Sequence, residues 1–146
     1  MKRALVLGGL TAVISIPALA FGQVALDRYV GDFDDHPASK IKIDVSFADG
    51  EGTISQIKAK RFPLVCEGDG GVARNEGSAT LRGSVAVRES GSFKVADDNG
   101  DTTFKARGSV KRNKTFGSFH FFGALDDSEG VSRKCDSGRL FFVARQ

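Results

Sequence analysis

Few residues in this 146-residue chain are equipped for chemistry. The only thiols are Cys66 and Cys135, and the only imidazoles are His36 and His120. The cysteines lack the C-x-x-C spacing of a zinc or redox site, and neither has a histidine close by in sequence. Paired with each other they would close one long loop; free thiols and metal ligation are the alternatives. His36 stands beside Pro37 in an Asp-rich stretch and reads as a solvated turn residue. His120 stands among phenylalanines and reads as a packing residue rather than a base. Ser137, within Cys135-Asp136-Ser137-Gly138, reads as a turn opening a strand, and no G-x-S-x-G frames it. Asp32-Phe33-Asp34-Asp35, Asp97-Asp98-Asn99-Gly100-Asp101 and Asp126-Asp127-Ser128-Glu129 carry hard oxygen ligands. The middle run fails the EF-hand spacing, because Val95 would hold its first position and no Glu closes it. All three read as turns. Nothing brings a nucleophile, a base and an orienting acid together. The reading therefore assigns no catalytic residue, no metal ligand and no cofactor.

The elements that carry these residues are strands. Helical periodicity is nearly absent after residue 20, and alternation with period two replaces it. Lys40 to Phe47 is the clearest case, with Ile41, Ile43, Val45 and Phe47 on one side. Thr53 to Cys66 reads as a long strand whose phase slips near Arg61-Phe62-Pro63, where a bulge or sheet edge is expected. A Gly-rich loop is expected from Glu67 to Gly77. Leu81 to Val87, Phe93 to Val95 and Phe104 to Val110 follow, the last two joined across Asn99-Gly100, a strong hairpin signal. Thr115 to Leu125 and Arg139 to Arg145 close the series, and a weaker strand lies near Arg28 to Phe33. The reading is all-β: about eight antiparallel strands, mostly in meander order, forming a barrel or a two-sheet sandwich.

Charge is sorted along this pattern. Acids fall in turns, and cations fall on the outward sides of strands. If the hairpins from Leu81 to Val110 pair with one another, Arg82, Arg88, Lys94, Lys105, Arg107 and Lys111 cluster on one sheet exterior as an anion-binding face. The plainer reading is that such cations keep sheets soluble and block edge pairing. No exposed aromatic is expected among them, which ranks nucleic acid lowest of the anions. The last two strands are apolar on both sides. Phe119, Phe121 and Leu125 oppose Phe116, His120 and Phe122, and Leu140, Phe142 and Ala144 oppose Phe141 and Val143. A strand in a soluble meander keeps one wet side. Something should therefore cover the Phe116, His120 and Phe122 face: the segment Phe21 to Val30, a second copy of the chain, or a ligand.

The N-terminus has the layout of a cleavable export signal. Met1-Lys2-Arg3 precedes an uncharged, mostly apolar run to Pro17, and small residues, Ala18 and Ala20, stand at the −3 and −1 positions of the cut expected before Phe21. Its removal would leave residues 21–146 as a single all-β domain, periplasmic or secreted, in a compartment where a Cys66–Cys135 disulfide persists. The first twenty residues hold two of the 21 cations and none of the 18 acids, so the remainder carries a net charge of only +1. No later run is long and apolar enough for a membrane helix. An outer-membrane barrel is disfavoured by Lys40, Lys42, Asp44, Lys58, Arg82, Lys105 and Arg107 on outward faces, where Arg or Lys at mid-bilayer costs about 2–4 kcal/mol each.

In layout the chain resembles small exported bacterial β-proteins of unassigned function. The likeness rests on Gly91-Ser92-Phe93 opening a short strand, the Cys66 and Cys135 pair, Cys135-Asp136-Ser137-Gly138, and an aromatic strand ending Ala144-Arg145. It spans Tyr29 to Arg145 and implies one disulfide-bonded β-domain without implying an activity. Three functions follow as expectations. The first is a non-catalytic binding module at the envelope or outside the cell, its partner a polyanion or a protein. The second is a lipocalin-like carrier of a small apolar ligand, and the third a hydrolytic enzyme.

Overall fold

Period-two alternation becomes eight antiparallel strands, in a computed structural model that describes residues 24–68, 71–127 and 129–146. The expected signal segment, residues 1–20, lies outside them. In chain order the strands are β1 (Ala25–Phe33), β2 (His36–Ala48), β3 (Glu51–Gly68), β4 (Gly71–Val87), β5 (Ser92–Asp98), β6 (Thr102–Lys111), β7 (Lys114–Asp126) and β8 (Ser132–Arg145). No helix occurs among the described residues.

The sheet runs β4-β3-β2-β1-β8-β7-β6-β5, and a further β3–β8 pairing closes β1, β2, β3 and β8 into a ring. One strand makes this closure by changing partners along its length. Residues 142–145 of β8 pair with β1, whereas Lys134, Cys135 and Asp136 pair with Glu67, Cys66 and Val65 of β3. The tip of the β1–β2 hairpin fills the changeover, where the Asp34 N–H donates to the Phe141 carbonyl at 2.8 Å. Cys66 and Cys135 face each other in the short seam and are disulfide-bonded. The bond points to an oxidising, extracytoplasmic setting.

Long β3 stays amphipathic by slipping phase twice. Ile54 faces inward, then Ile57 and Ala59, then Phe62, Leu64 and Cys66. Each change of parity coincides with a register shift, at Ser55 and at Arg61. Arg61 takes a left-handed φ of 55°, and its carbonyl accepts the buried Ser39 hydroxyl at 2.6 Å. The irregularity expected near Arg61-Phe62-Pro63 is thus a bulge that returns the apolar residues to the interior.

That interior is filled with rings. Phe119 on β7 packs against Phe33 of β1, Phe62 of β3 and Phe104 of β6, with centroids 5.4, 4.9 and 4.9 Å away. Tyr29, Ile41, Ile43, Val45, Ile57 and Phe142 complete the layer, all essentially without solvent contact.

Three expectations are corrected. Gly71 to Gly77 is strand, not loop: it pairs with β3 from Gly68 to Phe62. Its Val72 remains 69% exposed, so no inward alternation marked it in the sequence. The segment Leu81–Val87 does not pair with Phe93–Val95, because β4 and β5 are the opposite edges of the sheet. The described part of Phe21 to Val30 does not cover the aromatic face; from Ala25 it runs within the sheet as β1, between β2 and β8.

The β7–β8 turn supplies a pH test. Asp127 accepts the Arg133 guanidinium at 2.8 Å and the Val131 and Glu129 N–H groups at 2.9 Å each. The Arg133 bond, then the Val131 N–H, hold its carboxyl below the ordinary value of 3.8. Folding therefore weakens proton binding here. The stabilisation is complete above the ordinary value and is lost as pH falls through the lower, native one. Asp127→Asn should lower the thermal midpoint at pH 7, and its gap to wild type should narrow below about pH 4. Melting curves across that range measure it. A gap of constant size down to pH 2 would show that the carboxylate charge plays no part.

Candidate functional site

The residues singled out by type come together chiefly on the outer side of β5 to β8. Register fixes their rows across the strands. Val143 of β8 stands opposite Phe116 of β7, and Phe116 opposite Ser109 of β6. In the next row Phe141, Ser118, Arg107 and Lys94 run from β8 to β5, followed by Arg139, His120, Lys105 and Ala96. Aromatic side chains thus occupy the β7–β8 half of the face, and cations the β5–β6 half and the ends.

Lys94, Lys105 and Arg107 lie at the centre of this face, as the sequence pattern expected. Arg88, in the turn before β5, lines the same depression. Lys111 at the end of β6 lies 6.0 Å from the Phe116 ring centroid, and Lys114, which sequence reading passed over, lies 5.9 Å from it. Arg82 stands on β4 opposite Gln56, on a strand not paired with β5, and lines neither of the depressions on this face.

Phe116 is 37% exposed, Phe122 48% and Phe141 54%, with Val143 beside them. The aromatics expected to need cover are therefore open to solvent. The premise that set nucleic acid lowest does not hold either, because exposed rings and cations share one face. Two shallow depressions shape the face. One, of about 650 Å³, is lined by Phe116, Phe141, Val143, Arg88, Lys94 and Arg107, among others. The other, of about 280 Å³, is lined by Lys94, Lys105, Arg107, His120 and Arg139. They share Lys94, Arg107 and Ser118, and so form one trough.

Charge pairing elsewhere is mixed. Arg28 and Lys42 reach Asp44, Lys40 reaches Asp32, Arg61 reaches Glu76 and Arg133 reaches Asp127, whereas Lys58, Lys60, Arg74, Arg82, Arg112, Lys134 and Arg145 have no carboxylate within 4.0 Å among the described residues. Among the described residues no carboxylate comes within 4.0 Å of Arg88, Lys94, Lys105, Arg107, Lys111, Lys114 or Arg139. Asp34 lines the larger depression without contacting these cations. The other neighbouring acid, Asp136, is held by His120, 2.8 Å from Nε2.

Asp136 is a residue that sequence reading left in a turn. A bulge at Gly138, with φ 64°, swings it beside His120. Partial burial pushes its pKa up. The Gly138 N–H at 2.6 Å and the His120 ring outweigh that, and the carboxyl settles below its ordinary value. Ser137 is adjacent, but its hydroxyl donates to the Gly138 carbonyl and accepts the Phe121 N–H. The serine is thus committed to the backbone of the bulge, and the His120–Asp136 pair has no nucleophile attached. His36 lies in the β1–β2 hairpin opposite Phe33. No three His, Cys, Asp or Glu side chains among the described residues are grouped to hold a metal ion.

Two clefts reach core side chains. One of about 650 Å³ opens over Tyr29, Phe47, Val87 and Val110, and a smaller one of about 300 Å³ lies between β4 and β5. At the larger cleft, burial and then the neighbouring Asp27 raise the pKa of Tyr29, whose hydroxyl donates to the Lys111 carbonyl at 3.3 Å. Compared with known proteins, the chain matches no family model, no curated protein and no solved structure.

Proposed function

We propose that this chain is an exported, non-catalytic binding module of the cell envelope or its surroundings, and that it holds an anionic partner on the outer face of β5 to β8. One observation carries the reading: Arg88, Lys94, Lys105, Arg107 and Arg139 line one continuous stretch of that face, beside exposed Phe116 and Phe141, with no carboxylate paired to any of them. Exposed like charges repel one another and raise the local positive potential. A fold that disperses its acids into turns leaves that potential standing, and an anion relieves it. The disulfide and the signal layout of residues 1–20 support the location.

The rings packed around Phe119 fill the middle, which leaves a carried ligand only the clefts beside it. A serine hydrolase needs a free hydroxyl beside its base, and the Ser137 hydroxyl is engaged by the backbone.

The reading is tested by replacing Lys94, Lys105 and Arg107 with glutamine together. All three are exposed, so the fold should melt as before. Binding to a carboxylate-bearing polymer should weaken at least tenfold, and the salt dependence of the residual binding should flatten. Unchanged affinity in the triple variant would end the proposal.

A further inference from the structure

We infer that the anionic partner is an acidic polysaccharide, a polymer of pyranose rings bearing carboxylates, lying along the trough with its rings against Phe116 and Phe141. The inference rests on the proposed function and adds the ligand's class to it.

The spacing of the two phenylalanines is the first support. They occupy adjacent strands in diagonal register, Phe116 opposite Val143 and Phe141 opposite Ser118. Diagonal neighbours on one side of an antiparallel pair stand about 7–8 Å apart. Both rings are exposed, and they offer two apolar platforms in a line to successive rings of a chain. The second support is the placement of charge. Arg107 and Lys94 continue the Phe141 row, and Lys111 and Lys114 flank Phe116. Each platform has cations beside it, which suits a polymer with an acid on every ring. A guanidinium also meets a carboxylate with two parallel hydrogen bonds.

A hydroxyl of the trough favours a sugar over other anions. Half-buried Ser109 lines it, and its hydroxyl has no hydrogen-bond partner among the described residues. That hydroxyl can bond to one of the ligand's own, which a lipid chain would leave unmatched. Single-stranded nucleic acid would also stack on the rings. The oxidising setting implied by the disulfide favours an envelope or extracellular polymer instead.

The experiment compares affinities of the oxidised protein at matched charge and ionic strength for polygalacturonate, poly-glutamate, oligo-thymidylate and vesicles of anionic phospholipid. Polygalacturonate should bind about tenfold more tightly than poly-glutamate, the surplus coming from the two rings. The Phe116→Ala/Phe141→Ala double variant should bring that ratio to about one, with binding to poly-glutamate unchanged, and Phe116→Tyr/Phe141→Tyr should keep it. Equal affinity of the wild type for the two carboxylate polymers overturns the inference and leaves the proposed function standing. So does a preference for thymidylate or for vesicles. Failure to bind any of the four overturns both.

Discussion

Replacing Cys66 and Cys135 together by alanine should lower the unfolding free energy by about 4 kcal/mol, the chain-entropy value for a loop of this length. The two residues are 69 apart in sequence, and both are buried. Alanine leaves no polar group stranded, so the loss reports mainly on the cross-link and the small volume removed. The effect is large because of where the bond sits. The β3–β8 seam consists of three residue pairs, and the cystine is the middle one. Without it the ring of β1, β2, β3 and β8 is held at that point by a few backbone hydrogen bonds, each worth about 1 kcal/mol net. A domain of this size has about 5–15 kcal/mol in all. Urea unfolding of the double variant, and of the wild type with and without reductant, measures the difference. A loss under 1 kcal/mol would mean that the seam holds without its bond.

The second large effect is expected at Phe119. Its side chain has no solvent contact and touches rings from β1, β3 and β6. Truncation to alanine removes the transfer energy of one ring and opens a cavity whose walls belong to three other strands, so the site cannot easily collapse. Such substitutions cost about 3–5 kcal/mol. Phe116 supplies the control, three residues earlier on the same strand but on the outer side. Phe116→Ala should cost under about 1 kcal/mol, since the ring is already partly wet. Unfolding curves of the two variants side by side test the inward and outward assignment of β7. Equal losses would contradict it.

Much of this architecture was legible because period-two alternation reports burial directly. Ile41, Ile43 and Val45 in β2, and Phe104 and Ala106 in β6, lie inside where the pattern puts them. Alternation does not report pairing. Strand β4 from Gly71 to Gly77 is held by backbone bonds to β3 while Val72 stays exposed, so nothing in its side chains announced a strand. Proximity in sequence suggested that β4 pairs with β5. Long-range closure instead left them as the two end strands of the sheet, unpaired with each other, so the pairing that was to set Arg82 beside Lys94 does not form. For the same reason the meeting of His120 with Asp136 was hidden. They are sixteen residues apart, and a bulge at Gly138 joins them. The merging of the cationic and aromatic sets into one trough was hidden too. Each set was visible alone, but their juxtaposition depends on the registers of β6, β7 and β8.

The change of partners along β8 bears on the order of events in biogenesis. Three of its contacts, with β1, β3 and β7, lie on segments made before it. A chain emerging N-terminus first can form the β1–β2 and β2–β3 hairpins early, since those are local. It cannot complete the ring until β8 has been synthesised, because loop closure over such separations waits for the distant strand. Until then the ring of β1, β2, β3 and β8 stays open, and the Cys66–Cys135 bond that locks its seam cannot form.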